Sequence, residues 1–137
     1  GRVLTLDGNV MLTERDEFIY DEMITHVPMA VHKEARDILV IGAGDGGVVR
    51  ELTRYDRVSH IDLVEMDPMV VEACRAYLPG NACRLDDRRV HLHYENALKF
   101  IRRCENKYDL IIVDSSDPLV LRKACLPVNF METVIMR

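Results

Sequence analysis

An unbroken apolar run, Ile38-Leu39-Val40-Ile41, leads directly into Gly42-Ala43-Gly44-Asp45-Gly46-Gly47, and helix-compatible sequence from Val48 to Tyr55 follows. A short run with no polar side suits a parallel strand covered on both faces. Glycines at 42, 44 and 47 permit a tight turn and bring a ligand close to the backbone. Glu65 ends the next apolar run, Ile61 to Val64, where a carboxylate can accept hydrogen bonds from ribose hydroxyls. Strand, glycine loop, helix and distal acid together predict a nucleoside-containing ligand held by Gly42, Gly44, Asp45, Gly46 and Glu65.

The rest of the chain repeats the alternation. Arg2 to Leu6, the turn signal Asp7-Gly8-Asn9 and Val10 to Leu12 read as a β-hairpin. Thr13 or Asp16 caps a helix whose apolar residues Phe18, Ile19, Met23, Ile24 and Val27 recur at helical spacing up to Pro28. Pro68 opens another helix with Met69, Val70, Ala73, Tyr77 and Leu78 on its inner face, and Pro79-Gly80-Asn81 stops it. Val90 to Tyr94 is a strand and Asn96 to Arg103 a helix; Tyr108 to Val113 is a further strand that closes on Asp114-Ser115-Ser116-Asp117-Pro118. The fold class is therefore α/β, a Rossmann-like, methyltransferase-type parallel sheet with a short N-terminal β-hairpin. Residues 1–12 form the hairpin, 13–118 the nucleoside-binding catalytic domain and 119–137 a tail segment. Leu110 to Val113 reads as a central strand with no later strand to cover its far edge, an aggregation hazard unless another chain pairs there or the protein contains more than this sequence.

Asp45 narrows the ligand. A pyrophosphate would meet a carboxylate inside the loop that should hold it, so dinucleotides are disfavoured. A sulfonium with an amine and no carboxylate, as in decarboxylated S-adenosylmethionine, fits better; alternatively Asp45 caps the following helix. Asp114 and Asp117 sit past a strand end, where open α/β sheets bind ligands. Grouped carboxylates repel one another without a cation, and a diamine supplies one. Asp114 is then the general base and Asp117 an amine anchor, although Asp-Ser-Ser-Asp-Pro also has the composition of a polar turn.

Charge and cysteines exclude other classes. The net charge of −5 argues against nucleic acid as partner. Cys74, Cys83, Cys104 and Cys125 form no Cys-x-x-Cys pair, so neither zinc nor a disulfide framework is expected. His91 and His93 share a strand face without further ligands, which assigns them a structural role and leaves no metal site. With no apolar run of membrane-spanning length and no signal pattern, the expected location is cytoplasmic, with no membrane partner.

Leu6-Asp7-Gly8, Thr13-Glu14-Arg15-Asp16-Glu17-Phe18-Ile19-Tyr20, His26-Val27-Pro28, Gly44-Asp45-Gly46-Gly47, Val64-Glu65-Met66-Asp67, Tyr77-Leu78-Pro79 and Asp114-Ser115-Ser116-Asp117-Pro118 resemble, in order, the motifs of the spermidine synthase (polyamine aminopropyltransferase) family. The resemblance implies Tyr20 in the diamine pocket, Asp45 on the aminopropyl amine, Glu65 on the ribose, Asp114 as proton acceptor and Asp117 on substrate. It implies putrescine as partner, decarboxylated S-adenosylmethionine as co-substrate with no tightly bound cofactor, and a homodimer or homotetramer. Three positions depart from the family pattern. Met11 replaces a Gln; Asp21 stands where the family often has His or Gln, adding an acid to the substrate-binding set; and Glu95-Asn96-Ala97 replaces the adenine-side Gly-Asp-Gly or Asp-Asp-Gly, with Asn96 and Ala97 at the adenine. After Pro118 the family's Gly-Pro loop is not met, and Leu121 to Phe130 resembles its C-terminal tail. The chain thus reads as a family member without its N-terminal hairpins and without the second half of its catalytic domain. A methyltransferase on the same scaffold and a non-catalytic relative are the alternatives.

Overall fold

In the computed structural model, which describes residues 1–115 and 134–136, a two-stranded hairpin precedes a five-stranded parallel sheet. The hairpin pairs β1 (Val3–Leu6) with β2 (Asn9–Thr13). Asp7 and Gly8 both take positive φ, 50° and 80°, the backbone that a two-residue hairpin turn with the right twist requires. The register shifts between Leu4 and Thr5, which pair with Leu12 and Val10. Met11 is therefore a bulged residue, and bulges re-aim a side chain.

Helix α1 (Glu17–Val31) follows, then β3 (Asp37–Gly42), α2 (Gly47–Leu52), β4 (His60–Glu65), α3 (Pro68–Tyr77), the single turn α4 (Pro79–Ala82), β5 (Val90–Tyr94), α5 (Ala97–Arg103), β6 (Leu110–Asp114) and β7 (Val134–Met136). The strand order is β5-β4-β3-β6-β7. Chain order reverses between β3 and β6, and that is where such sheets open a crevice.

The apolar strands alternate between two cores. Ile38, Val40, Ile61, Leu63, Leu110 and Ile112 pack with α1, α2 and α3 on one face. Leu39, Ile41, Val64, Ile111 and Val113 pack with Phe100 and Ile101 of α5 on the other. Burial on both sides is why these strands lack a polar face.

Four expectations are corrected. The far edge of β6 is covered, since Ile111, Ile112 and Val113 pair in parallel with Val134, Ile135 and Met136. Helix α1 runs through Pro28 to Val31. Its apolar residues Phe18, Ile19, Met23 and Val27 are exposed, and its buried side is Asp21, Ile24, Thr25, Pro28 and Met29. The inner face of α3 is Val71 and Cys74, with Leu78 just beyond, whereas Met69 and Tyr77 are exposed. Among the described residues no helix is long and apolar enough to cross a membrane.

On the α5 face a carboxylate is buried. Asp62 accepts hydrogen bonds from the Tyr108 hydroxyl at 2.6 Å, His60 Nε2 at 2.8 Å and His93 Nε2 at 2.6 Å, while His91 stacks on His60. Burial opposes the charge, but the bonds from Tyr108, His60 and His93 outweigh it and hold the Asp62 carboxyl below its usual range. His91 and His93 thus serve this cluster, and among the described residues no group of His, Cys, Asp and Glu is placed to hold a metal. Tyr108→Phe should destabilise the fold by about 1.5–3 kcal/mol, the range for a hydrogen bond to a charged group. The loss should be fully present at neutral pH and shrink as pH falls below the unfolded-state carboxylate value of about 4, toward the lowered folded one. Urea unfolding at pH 7 and pH 3 measures both; an unchanged midpoint at pH 7 would show that the bond contributes nothing.

Candidate functional site

One cavity of about 910 Å³ opens at the carboxyl ends of β3, β4, β5 and β6 and reaches the hairpin and α1. Its wall carries nine carboxylates: Asp7, Asp16, Glu17 and Asp21 from the hairpin and α1, Asp45 from the glycine loop, and Glu65, Asp67, Glu95 and Asp114 from the strand ends. Among the described residues it carries no Lys, Arg or His. Two of these acids already have an arginine partner behind the wall, Glu17 with Arg50 and Glu95 with Arg103; the remaining excess of negative charge favours a cationic guest.

The glycine loop is shaped by contacts. Gly42 has φ +79°, and a Cβ there would stand 1.9 Å from the Asp114 carbonyl oxygen, because Gly42 and Asp114 pair at the ends of β3 and β6. At Gly44 a Cβ would meet the Glu65 carboxylate at 2.7 Å. Gly46 takes φ +93° against the Asn81 carbonyl. Gly42 and Gly44 line the cavity; Gly46 shapes the turn behind it without lining it.

Asp45 Oδ2 accepts from Gly47 N at 3.0 Å and from Asn81 Nδ2 at 3.1 Å. Both readings of this residue therefore have a physical basis: Oδ2 satisfies an amide at the start of α2, and Oδ1 has no hydrogen-bond partner among the described residues. Nothing in the sequence marks Asn81 as its partner, since Pro79-Gly80-Asn81 reads only as a helix stop. Glu65 Oε1 accepts from Asp67 N at 3.0 Å. Burial raises the Glu65 carboxyl above its ordinary value despite the backbone amides of Asp67, Gly44 and Met66 that favour its charge.

At the tip of β6, the Tyr20 hydroxyl donates to Asp114 Oδ1 at 2.8 Å, joining α1 to the sheet across 94 positions of sequence. Asp21, one residue on, is 4% exposed and lines the same cavity. Asn96 and Ala97 line the wall at the end of β5. The Asn96 carbonyl oxygen caps α5, accepting from Leu98 N at 2.9 Å and Lys99 N at 3.3 Å, a role that does not use its amide NH2. Met11, on the bulge, also faces the cavity wall. Asp117 lies outside the described residues. Tyr20, Asp21, Asp45, Glu65, Asn96, Ala97 and Asp114 thus share one cavity.

Sequence reasoning missed Glu17 and Arg50. The Arg50 guanidinium donates to both Glu17 carboxylate oxygens, at 3.2 and 3.1 Å, and to Glu51 at 2.9 Å. Glu51 is buried; burial opposes its charge, but hydrogen bonds from Arg54, Arg50 and His26 prevail and lower its carboxyl. This network fixes α1 against α2 beneath the acidic wall. The i to i+4 spacing of Glu17 and Asp21 was visible, whereas a partner 33 positions away was not.

Known proteins are similar to this chain in sequence and in fold. The polyamine aminopropyltransferase of Lachnoclostridium phytofermentans is 62% identical over 118 residues, 86% of this chain and 42% of that protein; the one from Alkaliphilus oremlandii is 60% identical with the same coverage. The chain therefore spans about two-fifths of the length of these relatives. Among solved structures, spermidine synthase from Thermotoga maritima superposes with a TM-score of 0.80 at 45% identity, over 85% of this chain and 40% of that one. A spermidine synthase in complex with the transition state analogue AdoDATO superposes with a TM-score of 0.79 at 44% identity, over 82% and 40%. The Spermine/spermidine synthase domain family matches residues 17–136, a span that takes in the glycine loop, Glu65, and the Tyr20–Asp114 pair, and the chain belongs to that family.

Proposed function

We propose that the cavity transfers the aminopropyl group of decarboxylated S-adenosylmethionine to putrescine, giving spermidine and methylthioadenosine. One observation carries this reading: among the described residues nine carboxylates, two of them paired with arginines, and no basic side chain line a nucleoside-type crevice. Both substrates of that reaction are cations with no anionic group.

The chemistry follows from the residues. Glu65 receives the ribose hydroxyls, and Asn96 and Ala97 border the adenine. Asp45 uses Oδ1 for the ammonium of the aminopropyl arm while Oδ2 stays bonded to Gly47 and Asn81. Putrescine enters doubly protonated, its nitrogens resembling the lysine ammonium with a reference near ~10.4. Asp21 and Asp117 anchor the amine, and Asp114, oriented by Tyr20, takes a proton from the attacking nitrogen. That nitrogen forms a bond to the carbon beside the sulfonium; the carbon–sulfur bond breaks, and its electron pair leaves sulfur neutral in methylthioadenosine. Most of the acceleration comes from holding nitrogen, carbon and sulfur in line.

Calorimetry with decarboxylated and intact S-adenosylmethionine in parallel tests the charge argument. The decarboxylated form should bind at least about tenfold tighter, equivalent to ~1.4 kcal/mol, because the carboxylate of the intact cofactor would face Asp45. Equal affinities would point instead to a methyltransferase-type site. The same mixture with putrescine should yield methylthioadenosine by chromatography.

A further inference from the structure

Asp21 is an unusual member of the acidic wall. It lines the cavity, yet it is 4% exposed and its Oδ2 is buried with no hydrogen-bond partner. The reason lies in how α1 meets α2. Gly47 lets the two elements approach so closely that a Cβ there would stand 1.8 Å from Asp21 Oδ2. Bare buried carboxylate oxygens are rare because desolvation is expensive unless a donor replaces water.

Three charged groups face this carboxyl. Glu17 approaches from the preceding turn of α1, Asp45 from the glycine loop and Arg50 from α2. Two have the same sign as Asp21. The third stands 3.8 Å away, beyond hydrogen-bond reach, and spends its donors on Glu17 and Glu51. Burial first, then a side-chain hydrogen bond with Glu17, then the charges of Asp45 and Glu17, push the Asp21 carboxyl up to about 9, with Arg50 working the other way. At neutral pH the empty protein therefore keeps a proton on it.

An ammonium offers what the corner lacks, a positive charge with several N–H donors. We propose that the corner between α1 and the glycine loop is an ammonium subsite, occupied by a proton on Asp21 in the empty protein and by the far ammonium of the acceptor in the complex, so that acceptor binding expels one proton. The exchange balances: the carboxylic acid loses its proton to solvent, the carboxylate then pairs with the ammonium, and the amine keeps all its hydrogens. The proposal rests on the amine-transfer reading of the cavity and adds a selectivity to it. An acceptor must carry a second cationic nitrogen to displace the proton, so a monoamine of equal length leaves Asp21 protonated.

Putrescine binding to the protein between pH 6 and 8 tests this, a range in which both its nitrogens stay protonated. Release of one proton makes the dissociation constant fall about tenfold per pH unit. Calorimetry in two buffers of different ionisation enthalpy should count close to one proton released. In the infrared difference spectrum the carbonyl band of a protonated carboxylic acid should disappear on binding. Asp21→Asn should bind putrescine more weakly, with no pH slope attributable to that proton; Asp21→Gln serves the same purpose should the first variant fail to fold. Butylamine should release no proton from the unsubstituted protein. Putrescine binding without pH dependence, or an unchanged proton count in either variant, overturns the subsite and leaves amine transfer standing. No putrescine binding at any pH overturns the amine-transfer reading itself, and this proposal with it.

Discussion

On the amine-transfer reading, Asp114→Asn is expected to lower the rate of aminopropyl transfer by roughly 10²–10⁴-fold, the usual worth of a positioned general base, with little change in stability. The amide keeps the size of the carboxylate and can still accept from the Tyr20 hydroxyl, which lies 2.8 Å from Oδ1. What it loses is the ability to take a proton from an ammonium that arrives charged. The two effects separate in single-turnover measurements: methylthioadenosine formation should slow while putrescine affinity changes much less. Tyr20→Phe supplies the intermediate case, because it leaves the base but removes the bond that orients it; a loss of about tenfold is expected, smaller than removal of the base itself. Asp114→Asn with an unimpaired rate would move the proton acceptor elsewhere among the acids of the wall and sink the assignment.

Local chemistry made much of this structure legible. Asp7-Gly8 announced a hairpin turn with two positive φ values because few residue pairs tolerate that backbone. The continuous apolar runs at 38–41 and 110–113 announced parallel strands, since only strands covered on both faces lack a polar side. Glu65 stood at the right distance from the glycine loop, and the structure brings its carboxylate against Gly44.

What escaped depended on partners distant in sequence. Helices α1 and α3 were each assigned an inner face by counting apolar residues, and in both the count misled. Phe18 and Val27 are exposed and Ile19 and Met23 line the cavity, because the sheet-facing side of α1 is given to Asp21, Thr25 and Met29. Periodicity cannot reveal a buried Asp, since its burial depends on Gly47, 26 positions later and on another element. The same holds for Asp62, whose donors His60, His93 and Tyr108 come from separate parts of the chain. It holds again for Val134–Met136, whose parallel pairing with Ile111–Val113 leaves no trace in local composition. The acids of the cavity were individually visible. Their convergence follows from the strand order, which places the ends of β3 and β6 side by side.

That adjacency is also the point of greatest fragility, and Gly42→Ala should expose it. Two penalties act at once. Gly42 has φ +79°, where an L-residue with a Cβ pays roughly 1–2 kcal/mol relative to its preferred backbone. The new Cβ would also stand 1.9 Å from the Asp114 carbonyl oxygen, and that oxygen belongs to a paired strand with no rotamer to change. Relief requires the ends of β3 and β6 to separate in the middle of the sheet. We expect a destabilisation of roughly 3 kcal/mol or more, at the upper end of single substitutions, read as a lowered midpoint in urea. Whatever protein remains folded should lose on the order of 10² in rate, because a shift of about 1 Å carries Asp114 off its line to the substrate. Gly80→Ala is the control: nothing lies within 4 Å of a Cβ there and its φ is not positive, so it should stay within about 0.5 kcal/mol. Equal midpoints for the two variants would mean that the close approach of these strand ends, on which the shared cavity depends, does not exist in the folded protein.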